Sequence, residues 1–132
     1  MTGLRGARAT RNNPALKLTH AFVGVAVSDY AAAYEWYVRL FGREADMYPN
    51  DHEAVWQLTT SSSVYVVGDA ERAGNGLLTL ATDDLAGLAN RLQADGLSCT
   101  RDAGGDAPES LTTSDDDGNR TKFFQDPALQ AG

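Results

Sequence analysis

Only one cysteine, Cys99, occurs in the 132 residues. A single thiol closes no intrachain disulfide and builds no metal cage, so stability is expected to rest on packing, as in a reducing cytoplasm. No reactive signature surrounds Cys99, which reads as a buried, inert residue. Long apolar runs are also missing. None approaches the length that spans a bilayer, and no signal-peptide core follows Met1, so no membrane partner and a cytoplasmic location are expected. Bases are scarce, with eleven Lys and Arg against eighteen Asp and Glu. Four of the eleven (Arg5, Arg8, Arg11, Lys17) lie in residues 1–17 with no acid among them, so the rest of the chain sets seven bases against eighteen acids, a formal charge of −11. Such a body repels phosphates, and no nucleic-acid partner is expected. The same acidity favours solubility and is compatible with a cationic ligand.

What is present suits one ordinary domain. Apolar residues make up 42% and charged residues 22%, values of a globular chain rather than a disordered one. The basic head has no periodicity and reads as a disordered leader over residues 1–17. The domain is expected over 18–127, as a first module at about 18–70 and a second at about 75–127, with a frayed tail at 128–132.

An internal repeat carries most of the information. Ala21-Phe22-Val23-Gly24-Val25-Ala26-Val27-Ser28-Asp29 leads into a helical pattern that stops at Gly42. Gly76-Leu77-Leu78-Thr79-Leu80-Ala81-Thr82-Asp83-Asp84 leads into another that stops at Gly96. Each copy is an apolar strand, an acidic N-cap, a helix and a glycine suited to the left-handed closing residue. The first helix carries a stripe of Tyr30, Ala33, Tyr34, Tyr37, Leu40 and Phe41; the second carries Leu85, Leu88, Ala89 and Leu92. Three short strand-like runs follow each helix, at about 43–48, 53–60 and 63–68, then 97–102, 109–114 and 120–125. Turns are expected at Tyr48–Asp51, Ser61–Ser63, Gly104-Gly105 and Asp117-Gly118. The fold class is α+β, two tandem βαβββ modules.

Several stretches together, FVGVAVSDY, WYVRLFG, SVYVVGD and DDDGNRTKFFQDP, resemble the glyoxalase/bleomycin-resistance/dioxygenase proteins, the vicinal oxygen chelate superfamily. The resemblance spans roughly residues 18–127. It implies curled mixed sheets around a cavity and a homodimer. In the enzymes of that family a divalent metal in the cavity polarises substrate oxygens. Its ligands would fall here on Phe22, Tyr65, Leu77 and Lys122. Phenylalanine and leucine offer no donor atom, and an ammonium repels a divalent cation. No metal and no cofactor are therefore expected, and metal-dependent glyoxalase or dioxygenase chemistry is disfavoured.

The remaining candidates are few. His20 lies two residues before Phe22, on the same strand face, and either lines the cavity or caps a strand end by bonding a backbone carbonyl. His52, between Asp51 and Glu53, could form a His–carboxylate base or, with His20, a displaced metal site. Asp115-Asp116-Asp117-Gly118-Asn119 lacks the spacing of a calcium loop and reads as a turn. Polarity turns Trp56 toward the helices and Gln57 toward the cavity, although the opposite register also fits. The expected function is metal-free binding of a small molecule by Phe22, Tyr65, Leu77, Lys122, His20 and Gln57, with Lys122 meeting Glu53 or an anionic ligand group. An enzyme using residue-based acid–base chemistry or a non-standard metal site is the alternative, and a structural dimer with a filled cavity is the third.

Overall fold

A computed structural model describes residues 15–103, 105–106 and 108–125. The expected tail, residue 104 of the Gly-Gly turn and all but three residues of the expected leader lie outside them. In chain order the elements are β1 (Ala21–Val27), α1 (Tyr30–Phe41), β2 (Met47–Asn50), β3 (Glu53–Thr59), β4 (Ser62–Gly68), β5 (Leu77–Thr82), α2 (Leu85–Ala94), β6 (Thr100–Asp102), β7 (Ser110–Ser114) and β8 (Arg120–Gln125). This is the βαβββ order twice. The strands form two four-stranded mixed sheets ordered β1-β4-β3-β2 and β5-β8-β7-β6. β1 runs parallel to β4 and β5 parallel to β8, while the other neighbours are antiparallel. A parallel pair needs a long crossover, and α1 and α2 each begin one.

Local chemistry sets the helix limits as anticipated. Asp29 accepts from the Ala32 N–H at 3.2 Å and Asp84 from the Gly87 N–H at 3.0 Å. At the far ends Gly42 (φ 81°) and Gly96 (φ 83°) take the left-handed conformation. β2 differs from expectation. Tyr48, Pro49 and Asn50 belong to the strand rather than to a turn, and the turn is Asp51-His52. Proline is tolerated because β2 is an edge strand, where a missing N–H leaves no ladder bond unmade. β4 likewise starts at Ser62, inside the run read as a Ser61–Ser63 turn.

One core runs through both modules, drawing Val25, Val27, Val64, Val66 and Trp56 from the first sheet and Leu78, Leu111 and Phe123 from the second. The helices add Tyr37, Leu40, Leu85 and Leu92. Trp56 is fully buried against Tyr37 and Phe41, which settles the register of β3. Trp36, outside the expected α1 stripe, is also buried and lies edge-on to Tyr37. The reason is tertiary, since α1 packs on its own sheet and also faces the second module. There Trp36 lines a cleft with Ser28, Asp29 and Asp115–Asp117.

The modules are tied by the Asp115–Asn119 turn. Buried Asp115 accepts from the Tyr37 hydroxyl at 2.8 Å, the Asp117 and Asn119 N–H groups, and the Asn119 amide. Asn119 donates to the Ala26 carbonyl and accepts from the Gly76 N–H. Asp117 accepts from both the N–H and the hydroxyl of Ser28. At the other end of α1, Arg91 of α2 donates to the carbonyls of Arg39 and Leu40. Cys99 is half-buried, and desolvation raises its thiol pKa, which disfavours the reactive thiolate.

Candidate functional site

Pairing register decides which side chains share a face, because residues directly opposite in a ladder point the same way. In the first sheet Phe22, Ser63 and Gln57 form one rung, Gly24, Tyr65 and Val55 the next, and Ala26, Val67 and Glu53 the third. In the second sheet Leu77, Arg120 and Ser114 form one rung, and Thr79, Lys122, Thr112 and Thr100 the next. These rungs alternate with those that carry Trp56, Val64 and Phe123 into the core, so they belong to the faces opposite α1 and α2, where Ser63 and Val55 are nonetheless buried beneath neighbouring side chains. Phe22 is 56% and Leu77 70% exposed, so none of the described residues covers either face there.

All six candidate residues therefore stand on open faces or at their margin, but on two different sheets. Phe22, Tyr65, Gln57 and His20 go with the first sheet, and Leu77 and Lys122 with the second. Both helix-bearing faces turn toward the shared core, so the open faces look away from it. A pocket of about 430 Å³ over the second sheet is lined by Leu77, Leu78, Thr79, Thr100, Asp102, Ser110, Thr112, Arg120 and Lys122, all from the second module. No ion pair joins Lys122 to Glu53 among the described residues; Glu53 instead accepts from the Asn50 amide.

On the first sheet the details are tight. The Tyr65 ring lies across Gly24, where an added Cβ would come within 2.5 Å of the ring carbon Cζ, so only glycine leaves room for it. His20 Nε2 shares a 2.8 Å hydrogen bond with the Ser63 hydroxyl, and its ring centroid is 4.6 Å from that of Phe22. The strand-end histidine is thus satisfied by a side chain rather than by a backbone carbonyl. Ser63, which the sequence places both at the end of the Ser61–Ser63 turn and at the start of the 63–68 strand, is buried beneath this contact; its alternation with Tyr65 and Val67 is the signal that puts it on this face. Gln57 is anchored by its backbone, which donates to Asp46 and accepts from Arg43, and its amide donates to the Thr60 carbonyl.

The displaced metal site is not assembled. His20 pairs with Ser63 near the start of β4, whereas His52 packs on Gly68 at its end, about 16 Å away along the strand. Among the described residues no group of three His, Cys, Asp or Glu side chains could hold a metal ion. The donor set at Phe22, Tyr65, Leu77 and Lys122 does not fit a divalent metal either, for the reasons of donor chemistry given above. No described helix is long and apolar enough to cross a membrane.

Duplicated βαβββ modules, latched through the turn between β7 and β8 and leaving one face of each sheet open among the described residues, define a class of α+β proteins. The model described as Glyoxalase/Bleomycin resistance protein/Dioxygenase superfamily matches residues 17–123, and the chain belongs to that superfamily. Its structure is similar to a glyoxalase/bleomycin resistance protein from Catenulispora acidiphila DSM 44928, with 34% identity, 82% of this chain and 98% of that one covered, and a TM-score of 0.78. It is also similar to an antibiotic binding protein from Streptomyces sp. CB03234, at 25% identity, 83% and 98% coverage and a TM-score of 0.65. A bleomycin-binding protein complexed with bleomycin shares the fold at 14% identity, 81% and 96% coverage and a TM-score of 0.62. No curated relative matches the sequence.

Proposed function

We propose that this protein is a metal-free small-molecule binder that sequesters its ligand on the open sheet faces rather than transforming it. The observation that carries the reading is the pair of bare faces bearing Phe22 and Tyr65 on one sheet and Leu77 and Lys122 on the other. Exposed aromatic area flanked by a few polar groups suits a ligand's apolar body and orients it. The similar antibiotic binding protein supports the same reading.

Because the two faces of one chain look apart, the ligand space is closed by a homodimer, with the first sheet of one chain facing the second sheet of its partner. Supporting this, β1 and β5 are edge strands among the described residues, and Leu18, Phe22, Val23 and Leu77 are exposed beside them. Native mass spectrometry of freshly purified protein, with elemental analysis of the same sample, tests the proposal. A dimer retaining a small molecule without stoichiometric metal is the expected result. Near-stoichiometric zinc, nickel or iron surviving dialysis would overturn the metal-free reading.

A further inference from the structure

Charge is distributed against the grain of this acidic chain at one place. Four arginines are paired with carboxylates, Arg43 with Asp46, Arg72 with Asp69, Arg91 with Asp95 and Arg101 with Glu109. Arg120 and Lys122 are not paired within the described residues. They stand two apart on β8, so both side chains rise from the same open face, about 7 Å apart along the strand. Their ladder neighbours are Leu77, Ser114, Thr79 and Thr112, all uncharged. Like charges placed this close repel each other, and a sheet usually offsets them with an opposite charge across the ladder. Among the described residues the one carboxylate that lines the pocket, Asp102, stands on β6, two strands away from Lys122, about 10 Å by strand spacing. Hydroxyls fill the positions between: Thr79, Thr112, Thr100 and Ser110 all line the same pocket.

Resting on the reading of the open faces as the ligand site, we infer that the second-sheet face takes an anionic group of the ligand, a carboxylate, sulfonate or phosphate on an apolar body. Arg120 and Lys122 supply the charge, with the guanidinium donating in a planar fork and the ammonium acting as a point charge. The threonine and serine hydroxyls can donate to the remaining oxygens, and Leu77 meets the body of the molecule. The net negative charge of the chain does not forbid this. At physiological ionic strength charges are screened within about 8 Å, so the two local cations outweigh distant carboxylates at the site. Overall acidity is compatible with a cationic ligand, but the local placement of Arg120 and Lys122 favours the anionic group that the sequence also allowed for Lys122.

Fluorescence titration of the full-length protein with two aromatic dyes of opposite charge tests the inference. The probes are 1-anilinonaphthalene-8-sulfonate and the cation auramine O, with circular dichroism confirming the fold of each variant. The sulfonate is expected to bind more tightly than the cation and to weaken as salt rises. Lys122→Met and Arg120→Gln should each weaken sulfonate binding about fivefold to tenfold, the range of a charge-assisted contact at a partly exposed site, and leave auramine O unchanged or tighter. Phe22→Ala and Tyr65→Ala should weaken both dyes, because they remove apolar area rather than charge. Sulfonate binding unchanged in the Lys122→Met, Arg120→Gln double variant overturns the anion site alone, provided Phe22→Ala still weakens it. Dyes that bind but ignore Phe22, Tyr65, Arg120 and Lys122 alike, or a wild-type protein that takes up neither, overturn the ligand face as well.

Discussion

Tyr37 shows how much one side chain joins. Its ring is fully buried between Trp36, Phe41 and Trp56, and its hydroxyl crosses to the second module to donate to Asp115. Burial, then the bond to Asp115 and the charges of Asp115 and Asp117, push its pKa above the ordinary phenol value of 10.0. The folded protein therefore holds this proton where the unfolded chain releases it. The stabilisation is complete below about pH 10 and declines as pH rises beyond it, toward the folded-state pKa. Tyr37→Phe should cost about 2 kcal/mol at pH 7, since a hydrogen bond to a buried carboxylate is lost. In urea titrations at pH 7, 9.5, 10.5 and 11 the gap between wild type and variant should narrow at the alkaline end. A gap that stays constant would mean that Tyr37 and Asp115 are not coupled in this way. Tyr37 was visible in the sequence as part of an apolar stripe. Its polar partner was not, because 78 residues separate the two.

Among the elements, those defined by near neighbours were legible. Both helices begin at the anticipated aspartates and are closed by the anticipated glycines, since capping and left-handed closure depend on residues within one turn. β2 was misplaced because proline reads as a breaker unless one knows that the strand lies at an edge. Gly42 combines both kinds of constraint. Its positive φ disfavours any side chain, and a Cβ there would sit 3.3 Å from the Arg91 guanidinium that caps the end of α1. Gly42→Ala is expected to destabilise by about 1–2 kcal/mol from the backbone term, lowering the melting temperature in a thermal scan. An unchanged melting temperature would show that the α1 terminus relaxes freely.

At the scale of the molecule, the described residues of the two modules share one core and leave Phe22 and Leu77 exposed on two faces. If those faces close on a partner, replacing an exposed apolar residue with a charge should open the assembly. Phe22→Glu and Leu77→Glu are each expected to shift sedimentation from dimer to monomer at micromolar concentration, because an unpaired charge at an apolar contact is costly. Wild type sedimenting as a monomer would remove the dimer, and with it the closed ligand space.

The sequence by itself determined the duplicated βαβββ plan, the helix limits and the apolar stripe of each helix, while the register of β3 stayed open. Periods of two and 3.6 residues and local caps carry that information without reference to distant parts of the chain. Tertiary structure decided what no local pattern could hold. It buried Trp36 against the second module, made Asp115–Asn119 a latch rather than a mere turn, and set His20 and His52 at opposite ends of a sheet. It also turned the two candidate faces apart and left Arg120 and Lys122 together without a carboxylate across the ladder. Those outcomes depend on how two sheets dock through their helices, and docking is a property of surfaces assembled from residues far apart in the chain.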